Sequence, residues 1–297
     1  MNEYSIIASN DYLGESGFYL SDNDSVVWLD LAKPSINFFS LKKKKFKKIC
    51  LNLKKPLGNI YPIKNNKFII SCVNGLYIFA KNTNKISKIG DFRNKKEKKV
   101  LRYNDGTISI GKLWVGFSDK KENKKIGHFG YFEKKEFIKI DKNFKVSNGP
   151  AIDEKSKSIY FSDSATRTIF KYSFNKFKRK VFFKFHSTEG YPDGIALDNK
   201  GGLWVAHWAG GKVSRINKSG NIDFSINLPA LNITSVTFVG KKLDHIFVTS
   251  AKVETTIREK KKYSHCGSSF LFKTNFIGQS IPYVSPKTLK LFLHLQK

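Results

Sequence analysis

Asn148 and Asp193 open two copies of one phrase, Asn148-Gly-Pro-Ala-Ile-Asp-Glu-Lys155 and Asp193-Gly-Ile-Ala-Leu-Asp-Asn-Lys200. Glu15 is the one charge in the small-residue segment Leu13-Gly-Glu-Ser-Gly17. An amide and two carboxylates brought together make an oxygen-donor set, the ligand chemistry of a hard divalent cation such as Ca²⁺, Mg²⁺ or Mn²⁺. Zinc is also compatible with carboxylate ligands. Cys50, Cys72 and Cys266 are too widely spaced to form a metal knuckle or a redox motif. The two phrases differ where the chemistry differs: an asparagine can only coordinate, whereas an aspartate can coordinate and move a proton. Singly, Asn-Gly and Asp-Gly are plain turn dipeptides, and only their recurrence in phase argues for a site.

A regular array of strands would bring these residues together. Six apolar strands stand out, anchored at Trp28, Ile70, Trp114, Tyr160, Trp204 and Phe247, with 42 to 46 residues between anchors. That period matches four-stranded propeller blades. Further strands follow within the units, as at Gly75-Leu-Tyr-Ile-Phe-Ala80 and Gly211-Lys-Val-Ser-Arg-Ile216. Asn-Lys, Asn-Gly and Ser-Gly turns separate short runs with no helical period, so the chain reads as all-β. A sandwich would not keep such a period throughout. The expected fold is a six-bladed β-propeller, one domain over residues 1–297, in which equivalent positions of the repeat point at one axis. A polar segment precedes each of five anchors, carrying Glu15, Asn104, Asn148, Asp193 and Thr234-Ser235, and the glycines after the polar residues are expected to turn the chain sharply from the rim to the inner strand.

The formal charge of +30 invites a nucleic-acid reading. It comes almost wholly from lysine scattered over turns of different units, with arginine only at positions 93, 102, 167, 179, 215 and 258. Base and phosphate recognition favours the guanidinium fork, so a solvated lysine surface is the better reading and no specific nucleic-acid partner is expected. The N-terminus carries no basic, apolar leader and no later stretch has the length of a membrane span. A cytoplasmic protein with no membrane partner is the expectation, its oligomeric state left open.

Leu13-Gly-Glu-Ser-Gly17 leading to Trp28-Leu-Asp30, Arg102-Tyr-Asn-Asp-Gly106 leading to Leu113-Trp-Val-Gly116, Ser147-Asn-Gly149 leading to Tyr160-Phe-Ser-Asp163, and Gly190-Tyr-Pro-Asp-Gly194 leading to Leu203-Trp-Val-Ala206 stand in order along the chain. In these motifs, and in Thr234-Ser235 before Ile246-Phe-Val-Thr-Ser-Ala251, the sequence resembles the senescence-marker-protein/gluconolactonase family, which includes regucalcin. The resemblance implies a six-bladed propeller with one divalent cation on its axis, calcium or zinc first, magnesium or manganese behind them. It implies Glu15, Asn148 and Asp193 as metal ligands, Asp193 also as general base, and Arg102 and Asn104 as substrate contacts. Asp105 reads as a turn residue. The first motif departs from the family in having Glu15-Ser16-Gly17 without the usual proline, and an acidic residue after the third anchor falls on either Asp119 or Glu122.

The implied activity is hydrolysis of a sugar lactone, with the cation as Lewis acid and a small-molecule partner. Another ester, lactone or phosphotriester hydrolase on this scaffold, or a non-catalytic cation-binding propeller, are the alternatives. Ser16 and Ser147 have no histidine in phase, so no serine triad is expected, and His207 is expected to be structural or at the rim.

Overall fold

The computed structural model describes residues 4–133 and 136–293, with side chains described up to residue 290; the expected domain limits of 1 and 297 lie outside the described residues. The described residues form six four-stranded antiparallel sheets, and the innermost strand of each packs against the innermost strands of its neighbours around one axis. This is a six-bladed β-propeller. We number the blades by their innermost strands: Gly14–Leu20, Leu57–Ile63, Leu101–Ser109, Ser147–Asp153, Tyr191–Leu197 and Asn232–Val239.

The six anchors fall in the second strand of each blade and are buried throughout. A strand covered on both faces by neighbouring blades must be apolar along its length, which is why these runs were conspicuous in the sequence. Aromatic rings fill the wedges between blades: Phe129 of blade 3 stacks on Phe161 of blade 4 at 4.0 Å, and Trp28 of blade 1 meets Phe247 of blade 6 at 4.9 Å.

The strand Tyr4–Ile7 closes the ring. It pairs with Ser269–Lys273 of blade 6, with Ile6 opposite Phe270, so the chain start supplies the outer strand of the last blade and covers its edge. Three short helices, Lys95–Val100, Ile257–Lys262 and Pro286–Leu293, escape a reading based on helical period. The first two hold six residues each and start at capping boxes, Asn94 with Glu97 and Thr256 with Glu259. No helix of the described residues is long and apolar enough to cross a membrane.

After blade 6 the chain crosses one end of the axis. Gly278 N–H donates to Leu243 O, Gln279 N–H to Leu197 O and Val284 N–H to Pro62 O, and Thr288 Oγ1 donates to Gly111 O. Residues 278–282 thereby floor a cavity of about 590 Å³.

The second aspartate of the Asp193–Lys200 phrase, Asp198, holds its blade together. Asp198 accepts from Trp204 Nε1 at 3.0 Å, Arg215 Nε at 2.6 Å, and the Lys200 and Gly202 N–H groups at 2.9 Å each. Asp198→Ala would leave the buried Arg215 and Trp204 donors short of their acceptor. We expect a loss of about 3–5 kcal/mol in unfolding free energy by urea denaturation; a loss below about 1 kcal/mol would show that the cluster does not hold this blade.

Candidate functional site

Each innermost strand breaks register with its neighbour at the same depth: between Glu15 and Phe18, Leu57 and Ile60, Tyr103 and Gly106, Asn148 and Ala151, Pro192 and Ile195, and Ile233 and Ser235. A bulge bends the strand and re-aims the side chain beside it, and four of the six bulges stand at Glu15, Asn104, Asn148 and Asp193. This corrects the reading of the glycines as rim turns, since they lie inside these bulges. Gly149 holds φ +83, which strains a residue with a Cβ, and a Cβ on Gly194 would come within 2.9 Å of Ser235 Cα and Thr234 O.

The structure brings Glu15, Arg102, Asn104, Asn148 and Asp193 to one pocket of about 390 Å³ at the mouth of the axis. Hydrogen bonds run from side chain to side chain across three blades. Glu122 Oε1 accepts from Arg102 Nη2 at 2.5 Å, and Arg102 Nη1 donates to Asn104 Oδ1. Asn104 Nδ2 donates to Ser147 O at 2.7 Å and to Asn148 Oδ1 at 2.5 Å. Asn148 Nδ2 then donates to Asp193 Oδ1 at 2.7 Å and to Ser164 Oγ at 2.8 Å. Asn148 Oδ1 keeps a second lone pair for a ligand.

Charge is concentrated at the end of this chain of bonds. Burial, then the charge of Asp105, pushes the Glu15 carboxyl up to about 8, while the Ser16 N–H and Arg102 pull it down. Burial, then the charges of Glu15, Asp105 and Glu122, holds Asp193 well above the usual carboxylate range. Adjacent buried carboxylates with one paired arginine nearby form a site whose charge is best matched by protons or a cation. Two carboxylates with two amides fit a hard divalent cation. Among the described residues no group of three or more His, Cys, Asp or Glu side chains is placed to hold a metal, so amide oxygens are needed to complete the set.

Other expectations sort by place. Asp105 lies beneath this pocket, lining the 590 Å³ cavity, and its carboxylate accepts from Gly106 N–H at 2.7 Å and Gly149 N–H at 3.0 Å, tying blade 3 to blade 4. Of the two acidic candidates after the third anchor, Glu122 lines the pocket, whereas Asp119 is spent on the Lys121, Asn123 and Lys124 N–H groups. Thr234 is occupied by Gly14 O and Thr249, and Ser235 by Thr249. His207 is structural: it is buried, bonded to Glu189 O and Ser214 Oγ, and burial pushes its pKa down to about 4. Ser164, Trp208, Val253 and Glu254 also line the pocket and carry no motif signal, and Tyr191, inside the motif Gly190-Tyr-Pro-Asp-Gly194, lines it too without having been singled out.

Known proteins share this fold. YvrE of Bacillus subtilis, whose name assigns it provisionally as a sugar lactone lactonase, is 26% identical over 285 residues, covering 91% of this chain and 94% of its own. A 6-deoxy-6-sulfogluconolactonase of Pseudomonas putida is 26% identical over 196 residues, 61% of this chain and 65% of that enzyme, a little under two thirds of its length. The crystal structure of a calcium-binding protein, regucalcin, from Agrobacterium tumefaciens shares the fold, with TM-score 0.86 at 19% identity over 94% of this chain and 97% of that one. Residues 13–252 match the sequence model described as the SMP-30/Gluconolactonase/LRE-like region, and with that span covering five blades and the two inner strands of the sixth the chain belongs to the SMP-30/gluconolactonase family.

Proposed function

We propose that this chain hydrolyses a sugar lactone at the mouth of its axis, with one divalent cation held by Glu15, Asn148 and Asp193. The observation that carries the reading is the meeting of those three residues with Arg102 and Asn104 in one pocket, from four different blades. The names of the Bacillus and Pseudomonas relatives support it. Calcium or zinc are the first candidates for the ion.

When bound, the cation supplies Lewis acidity to the lactone carbonyl and offsets the charge that develops on its oxygen. Arg102 donates to ring hydroxyls and the Asn104 Oδ1 accepts from one, which sets the ring's orientation, with Glu122 holding the guanidinium in place and both Asn104 N–H groups already bonded to Ser147 O and Asn148 Oδ1. Asp193 accepts a proton from the water whose oxygen attacks the carbonyl carbon. Collapse of the tetrahedral intermediate breaks the ring C–O bond, and the proton passes to the departing ring oxygen, giving the hydroxy acid. The Asn148 amide fixes the Asp193 carboxylate by the bond to Oδ1.

The test is acid release, followed by pH-stat, from a panel of aldonolactones after chelation and resupply of Ca²⁺, Zn²⁺, Mn²⁺ or Mg²⁺. We expect hydrolysis that depends on the added cation. Absence of hydrolysis of every lactone with every metal would overturn the reading.

A further inference from the structure

The proposed contacts to the ring hydroxyls come from one side of the pocket only. Arg102, Asn104 and Glu122 all belong to blade 3. Around the rest of the ring, beyond the proposed cation ligands, the wall is mainly apolar, with Val146 at the entry to blade 4, Tyr191 and Trp208 of blade 5, Val253 after the second strand of blade 6, and Leu13 and Leu31 of blade 1, interrupted by Ser164 and Glu254. All of these apolar residues except Leu31 are partly open rather than sealed in the core. Tyr191 and Trp208 are register partners at the mouth end of their blade, and the Arg167 guanidinium lies 3.9 Å from the Tyr191 ring centre, holding that ring.

The charge of the pocket is a second, independent observation. Although lysine dominates the sequence, no lysine lines the pocket among the described residues. Arg102 is matched by Glu122, a divalent cation would match Glu15 and Asp193, and Glu254 is left over. A substrate carrying its own negative charge away from the carbonyl would meet, among the lining residues of this wall, one carboxylate and no cation, the Arg167 guanidinium being stacked on Tyr191 outside the lining.

We infer that the substrate is an amphipathic lactone: hydroxylated on the edge that faces Arg102 and Asn104, and bearing an uncharged apolar substituent, as in a deoxy-sugar or alkyl-substituted δ-lactone, toward Trp208 and Val253. The inference rests on the lactone-hydrolysis reading above and sharpens its substrate class. Burial of even one or two extra carbons against such a wall is worth about tenfold in specificity.

The test uses the full, cation-loaded chain. The ratio kcat/KM is compared for glucono-1,5-lactone, its 6-deoxy counterpart, a 6-alkyl hydroxylated δ-lactone and a 6-phosphorylated lactone. Calorimetry on the matching δ-lactams reports binding without turnover. We expect the alkyl compound to exceed the parent by at least about tenfold in kcat/KM, carried by KM, with the same order in lactam affinity and the phosphorylated compound last. Trp208→Ser and Val253→Ser should bring the alkyl-to-parent ratio toward one, with cation affinity retained as evidence of an intact ring. Equal or better performance of the parent or the phosphorylated lactone in both assays would overturn the inference and leave lactone hydrolysis standing. Lactam preference without turnover of any lactone would overturn the hydrolytic reading and leave this one. Absence of both lactam binding and turnover of any lactone would overturn both.

Discussion

Asp193→Asn should abolish lactone hydrolysis, lowering kcat by at least about 10³-fold, while the propeller stays folded. The change makes blade 5 a copy of blade 4 at the first position of the doubled phrase, where blade 4 already carries an asparagine in a bulge of the same depth. An amide cannot take the proton of the attacking water, and it carries one charge fewer toward the cation. Its shape still allows the bond now made by Asn148 Nδ2 to Oδ1. Circular dichroism and thermal unfolding check the fold, and initial rates on the best lactone check the loss. Retention of full activity would remove Asp193 from the mechanism.

Glu15→Gln should act with opposite signs on cation binding and on the cation-free fold. Loss of one of two ligand carboxylates should weaken binding by on the order of 100-fold or more, since ligand charge sets affinity for hard cations. Without a cation, the Glu15 carboxyl is pushed from its ordinary 4.5 up to about 8 by burial and by Asp105. Between those values the folded chain binds more protons at this group than the unfolded chain, so its stability falls as pH rises from about 4.5 to about 8. Glutamine does not titrate. The chelated variant should therefore unfold at a higher temperature than chelated wild type at pH 8 and at a similar one at pH 5, and calcium should raise its unfolding temperature less. A variant that binds calcium as tightly as wild type would contradict the assignment of Glu15.

Much of this was legible in the chain because the propeller repeats its rules. Trp28, Trp114 and Trp204 sit in strands buried on both faces, which must be apolar throughout, and their spacing revealed the ring. Glu15, Asn148 and Asp193 were legible because a ring turns equal phase into equal position. The bulges were not, because the dipeptides Asn148-Gly149 and Asp193-Gly194 are also those of turns, and only strand register separates the two. Asp119 and Glu122 could not be told apart in sequence: three backbone N–H groups claim the first, and the left-handed Glu122, at φ +56, presents its carboxylate to Arg102. The apolar wall was hidden for a plainer reason. Trp208, Tyr191 and Val253 stand at or just beyond strand ends and read as core, and only the ring shows that they face the pocket. The pairing of Tyr4–Ile7 with Ser269–Lys273 joins segments at opposite ends of the chain, beyond the reach of any local pattern.

The most direct measurement is a calorimetric titration of chelated protein with calcium and with zinc, with the rate of lactone hydrolysis read at each addition. The account predicts one cation bound per chain, activity that rises in step and levels at one equivalent, and loss of both in Glu15→Gln. No binding by the wild-type chain, or full hydrolysis by chelated protein that the titration leaves unchanged, would contradict it.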